Sequence, residues 1–171
     1  MIADVAAYYD EQCTACGARF RIDRIVSEDD SFRLHVSVES LLKSETLDLL
    51  LDGTRVVPLA AGEATEWANT YSWNLATGTG YPGYRELLKK AVTLRPVAAG
   101  ELPMTLGPGQ RWEGWLEVAK SLPEDTAAFI PTIGPLTRDG RFYSHNSHDP
   151  RRPFVSLGEE FWLSHSQACI C

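Results

Sequence analysis

No stretch of about 18 consecutive apolar residues occurs in this sequence, which excludes a membrane-spanning helix. Cations are outnumbered: 16 Lys and Arg face 23 Asp and Glu, for a formal net charge of −7. That balance opposes both a nucleic-acid backbone and an anionic lipid surface, because each rewards clustered positive charge. The nearest approaches to a basic run, Arg19, Arg21 and Arg24, then Arg138, Arg141, Arg151 and Arg152, are short and read as solvated loops. Nucleophile-elbow spacing (Gly-x-Ser-x-Gly) is missing. Thr77-Gly78-Thr79-Gly80-Tyr81-Pro82-Gly83-Tyr84 lacks the Gly-Lys-Ser/Thr ending of a phosphate loop and the dinucleotide glycine spacing, so it reads as a loop carrying two tyrosines. Met1 to Glu11 has neither the basic start nor the apolar run of a signal peptide, and a cytoplasmic, reducing setting is the expectation.

What is present is ordinary globular material. A chain of 171 residues with 44% apolar content buries roughly two-thirds of its unfolded surface without help from staples, so one domain over 1–171 is expected. Strict alternation marks the clearest strand, with Phe32, Leu34, Val36 and Val38 opposed to Arg33, His35 and Ser37. Residues 20–26 alternate similarly, with Phe20, Ile22 and Arg24 on one side. Leu47–Leu51 and Arg55–Leu59 flank Asp52-Gly53, a hairpin signal. Glu66–Leu75 predicts a strand with Trp67, Tyr71, Trp73 and Leu75 on one side, and Val92–Val97 a shorter one. Further strands are expected before the Gly107–Gln110 turn, after it, on both sides of Arg138-Asp139-Gly140, and at Phe161–His165. Only residues 1–12 and Gly83–Lys90 invite helices. Many short strands without helical crossovers predict a mostly β, antiparallel β-sandwich.

The stretch from Leu102 to Tyr143 (strand, Pro-Gly-Gln turn, Trp-rich return strand, Asp-Gly turn) resembles part of an immunoglobulin-like sandwich. The resemblance covers about a quarter of the chain and implies an architecture, not an activity.

Four cysteines carry the most specific signal. In Cys13-Thr14-Ala15-Cys16-Gly17, two thiolates two residues apart can grip one ion from a tight turn, and Gly17 lets the backbone curl around it. The segment resembles the cysteine knuckle of zinc ribbons and rubredoxin-like sites, in which such a motif precedes a strand; Phe20 and Ile22 supply that strand. Thioredoxin-type motifs open a helix instead, and Gly17 followed by alternating residues is a poor helix start. A closed zinc site needs four ligands, and Cys169 and Cys171 complete the count, with His165 in reserve. The expected result is a structural Zn²⁺ in a small annex, built from 1–26 and 161–171, that joins the two ends of the chain. Disulfides, unligated thiols, an iron–sulfur cluster and a catalytic zinc are the competing states of the same cysteines.

His145, His148 and Asp149 form the other polar cluster, within Ser144 to Pro150. Their spacing is not the i, i+4 pair of a helical zinc motif, and the surrounding Ser, Asn and Pro are loop residues. Of the five tryptophans, Trp115 falls by parity beside Arg111, Glu113 and Glu117, away from Trp112, Leu116 and Val118; or marks a bulge; an exposed Trp would mark a binding face, and a second packed sheet face would account for it equally. Taken together, these features favour a non-enzymatic protein-binding or assembly module, with a protein partner or self-association and no nucleic acid or membrane. The alternatives are a metal-dependent hydrolase using His145, His148 and Asp149, and a thiol-based redox sensor.

Overall fold

The computed structural model describes residues 17–67, 84–97 and 104–138, together with the backbone of 141–146, 155–156 and 169–170. Twelve strands are described: β1 (Ala18–Ser27), β2 (Phe32–Ser40), β3 (Leu47–Leu49), β4 (Arg55–Ala60), β5 (Val92–Thr93), β6 (Arg95–Pro96), β7 (Met104–Leu106), β8 (Arg111–Val118), β9 (Thr126–Arg138), β10 (Arg141–Asn146), β11 (Val155–Ser156) and β12 (Cys169–Ile170). Two short helices join them, α1 over 61–67 and α2 over Tyr84–Leu88. The strands form two antiparallel sheets. One has the order β1-β2-β8-β6. The other runs β12-β10-β9-β3-β7, with β4 and β11 also on β9 and β5 on β4.

The mostly β, two-sheet expectation holds, and the reason is visible in β2. Phe32, Leu34, Val36 and Val38 are fully buried, while Arg33 and His35 between them reach the other face. A single apolar cluster takes Phe32, Leu34 and Leu116 from the four-stranded sheet and Leu49, Phe129 and Ile133 from the eight-stranded one. Across that interface the Phe32 and Phe129 rings meet edge to face with centroids 5.4 Å apart, a geometry worth about 0.5–1.5 kcal/mol beyond burial.

The far face of the eight-stranded sheet is covered as well. Val57, Leu59, Ala128 and Ile130 pack under Ala64 and Trp67 of α1 and Leu87 of α2. This explains the near-continuous buried runs in β4 and β9, since strands covered on both faces lose their alternation. It also corrects the strand expected from Glu66: residues 61–67 are helical, and Ala64 and Trp67, three apart, share the inward face of a helix. Glu63 caps that helix by accepting the Ala60 N–H at 3.0 Å, as the third helical residue does in a capping box. The remainder of that expected strand, the lead at 1–12 and Phe161–His165 lie outside the described residues.

The hairpin expected around Asp52-Gly53 does not form. β3 and β4 pair with successive parts of the same edge of β9, Leu49 opposite Leu136 and Arg55 opposite Thr132. The intervening residues stay hydrogen-bonded to β9: Leu50 and Leu51 N–H donate to Pro135 O, and Gly53 N–H to Gly134 O. Leu51 takes a left-handed φ of 58° with its side chain fully buried. The turn residues make a kink, and the chain keeps its direction.

Two connections lace the sheets together. Val92-Thr93 pairs with β4 in one sheet and Arg95-Pro96 with β8 in the other, with buried Leu94 between them donating its N–H to Thr54 O. The Gly107–Gln110 turn likewise carries β7 of one sheet into β8 of the other. The Arg138–Arg141 hairpin is present as expected, with those two residues as Cα partners. Among the described residues no helix is long and apolar enough to cross a membrane.

Candidate functional site

The outward face of the four-stranded sheet is built by the alternation that buries β2. Strand pairing sets its side chains in rows. Arg19, Glu39 and Arg111 share one row, and Arg33, Glu117 and Arg95 another. Between them Arg24, His35 and Trp115 lie side by side on β1, β2 and β8. The parity assigned to Trp115 is therefore the parity it has, and its side chain is half-buried on this outward face.

A bulge in β1 shapes the centre. The register shifts between Ile22 and Arg24, so Asp23 is the extra residue and Ile25 takes the inward position opposite Leu34. Arg24, expected inward with Phe20 and Ile22, turns outward instead. A bulge of this kind re-aims side chains, and here it brings Asp23 to two residues of β2. Ser37 Oγ donates to Asp23 Oδ2, and His35 Nδ1 lies 3.2 Å from the same oxygen. Arg111 Nη2 donates to Ser37 Oγ at 2.9 Å. Ser37 is only 4% exposed, so its hydroxyl is both donor and acceptor in a nearly dry setting.

Aspartate, serine and histidine together invite comparison with a hydrolytic triad, and the order of contacts answers it. A nucleophilic serine needs the imidazole as its proton acceptor, with the carboxylate behind the imidazole. Here the carboxylate sits in the middle and itself accepts the serine hydroxyl's hydrogen bond, so the imidazole is not placed to receive that proton.

Trp115 meets this group at His35. His35 meets it edge to face, with centroids 5.1 Å apart and planes at 70°. The Arg24 and Arg33 guanidinium carbons lie 5.5 and 5.3 Å from its ring centroid. Each cation–π contact at an exposed site contributes about 0.5–1 kcal/mol. Glu28 takes Arg33 at 3.5 Å, Glu113 takes Arg111 at 3.3 Å and Glu39 takes Arg19 at 3.6 Å. Val97, 55% exposed, donates its N–H to Trp115 O and extends the apolar spot. Sequence reasoning placed Trp115 but missed Asp23, His35 and Ser37 as a group. The only local signal was the apolar Ile25 following Arg24, which breaks the alternation and marks the bulge.

Of the expected metal ligands, Cys13, Cys16, Cys171 and the reserve His165 lie outside the described residues, as do His148 and Asp149. Cys169 lies in β12, where it is the Cα partner of His145 on β10. At the other end of the chain, Gly17 has φ 82°, and a Cβ there would stand 3.2 Å from Nη1 of Arg138, the last residue of β9. Among the described residues, no group of three or more His, Cys, Asp and Glu is arranged to hold a metal ion. Compared with known proteins, the chain gives no significant match to a protein-family model, to a curated protein or to a solved structure.

Proposed function

We propose that this chain is a non-enzymatic protein-binding or assembly module, an immunoglobulin-like β-sandwich whose ends are clamped by one structural zinc, and that it binds through the outward face of its four-stranded sheet. The observation that carries the reading is Trp115, half-buried on the outward sheet face with two guanidiniums against its ring. Trp and Arg dominate the energetics of protein interfaces, where a few ordered anchors supply most of the binding energy. The hydrogen bonds among Asp23, His35, Ser37 and Arg111 order His35 beside Trp115 and lower the ordering cost on association.

The clamp rests on donor chemistry. Cys13, Cys16, Cys169 and Cys171 equal the ligand count of a closed zinc site, and four thiolates leave no open position for a substrate. Gly17 and β12 both lie against the β9–β10 hairpin, one beside Arg138 and the other paired at Ser144 and His145. The immunoglobulin-like reading draws on the passage of β7 into β8 across the sheets and on the β9–β10 hairpin.

Metal analysis of the purified chain tests the clamp. One tightly held zinc per chain is expected, lost in Cys13→Ser; native protein free of metal overturns it. A second, exchangeable metal lost in His148→Ala would replace the proposal with the hydrolase, and thiols consumed by peroxide in the folded protein would replace it with the redox sensor. For the face, sedimentation and ester turnover are decisive together. Complex formation or self-association weakened by Trp115→Ala supports the module, whereas hydrolysis abolished by Ser37→Ala overturns it.

A further inference from the structure

We infer that the Trp115 face takes an acidic peptide segment of a partner protein, with a carboxylate seated against the paired guanidiniums of Arg24 and Arg33. The inference rests on the binding-module reading and names the chemistry of its partner.

Two like charges have been brought to one aromatic ring. Such a pair repels unless an anion answers it, and the ring quadrupole answers only part of the charge. Most carboxylates nearby are already committed. Asp23 accepts from Ser37 and His35, and Glu28 reaches Arg33 at the edge of ion-pair distance, 3.5 Å. Arg24 is exposed, and its one contact among the described residues is the Trp115 ring. Its five N–H donors are free to meet a carboxylate as a fork, the geometry for which guanidinium is suited. Arg33 Nε, buried from water and without a hydrogen-bond partner, is a second donor awaiting an acceptor.

The face also differs in charge from the rest of the molecule. Among the described side chains, Arg19, Arg24, Arg33, Arg95 and Arg111 stand on it with Asp23, Glu39, Glu113 and Glu117, and Glu28 at its edge, a near balance in a chain whose formal net charge is −7. An acidic partner is repelled by the chain as a whole and accepted at this face, which favours one docking orientation. Trp115 and Val97 provide an apolar rest for the stem of a glutamate or a neighbouring side chain.

The probe is a hexaglutamate peptide blocked at both ends, titrated into the full chain by calorimetry at low salt and again at physiological salt. Hexaglutamine and inorganic phosphate serve as comparison ligands. Hexaglutamate binding that weakens with salt is expected. Arg24→Gln and Arg33→Gln should each weaken it by about fivefold, the scale of one charge-assisted contact, whereas Lys120→Gln, at an exposed position off the sheet face, should leave it unchanged. Equal losses in Arg24→Gln and Lys120→Gln, or no preference over hexaglutamine, overturn the inference. Phosphate binding as tightly as the peptide overturns it in favour of a free-anion site. Self-association that depends on Trp115, without hexaglutamate binding, overturns the acidic partner while keeping the module; absence of both removes the module too.

Discussion

Thr54 and Gly134 exchange two hydrogen bonds across the kink that separates β3 from β4: the Thr54 hydroxyl donates to Gly134 O at 3.3 Å and accepts from Gly134 N–H at 3.2 Å. Thr54 is fully buried, so these bonds have no competition from water. Gly134 O also takes the Gly53 N–H, while Gly134 N–H donates to the hydroxyl. Thr54→Val fills the same space and takes that acceptor from the N–H, which should lower stability by about 1–3 kcal/mol. Thr54→Ser should retain most of it. Urea unfolding of the three proteins checks the order.

Asp23 is the acceptor that both Ser37 and His35 depend on. Asp23→Ala should cost about 1–2 kcal/mol, because the Ser37 hydroxyl loses its acceptor while still receiving Arg111. Asp23→Asn keeps an oxygen at the same place and should cost less. A loss of equal size in both variants would show that charge, and not acceptance, is what matters; chemical denaturation separates the two.

The Glu63 carboxyl is held below the ordinary glutamate value of 4.5, first by the hydrogen bond from Lys90 Nζ at 2.6 Å, then by the Ala60 N–H; partial burial opposes both. A carboxyl depressed in the folded state stabilises fully above its unfolded pKa and loses that contribution as pH falls through the lower folded value. The relevant window therefore lies at and below about pH 4.5. Glu63 and Lys90 side chains are each 37% exposed, so screening limits the pair to about 0.5 kcal/mol. Glu63→Gln should melt slightly below wild type at pH 7, and the difference should close at pH 3, as followed by circular dichroism.

Gly17 accepts the Leu41 N–H at 2.9 Å from a left-handed conformation with φ 82°. A Cβ there would fall 2.5 Å from Leu42 Cδ2. Gly17→Ala should destabilise by about 1–2 kcal/mol through backbone strain alone, with the clash added. Thermal melts check the loss, and metal content measured alongside shows whether the change reaches the preceding cysteines.

The sandwich was legible wherever one face meets the core and the other meets water. β2 and β8 show this, since Phe32 to Val38 and Trp112 to Val118 alternate as read. Legibility failed where both faces are covered. Trp67 fits a two-residue period with Tyr71, Trp73 and Leu75, although its spacing of three from Ala64 suits a helix lying on β4 and β9. It failed again at Asp52-Gly53, where turn chemistry was read correctly but the partner was not: whether a turn reverses the chain depends on what its N–H groups meet, and these meet Pro135 and Gly134. The Asp23–His35–Ser37 group was beyond sequence reading for a similar reason. Its members are 12 and 14 residues apart and come together only through a register shift.

β9 serves β10 and β11 along one edge and β3 and β4 along the other. Losing one residue from its middle would send everything beyond that point to the opposite side for all these neighbours at once. Insertions and deletions in related chains should therefore spare this segment and gather at 139–140 and in the connections between strands, so that its length, more than its composition, identifies distant kin.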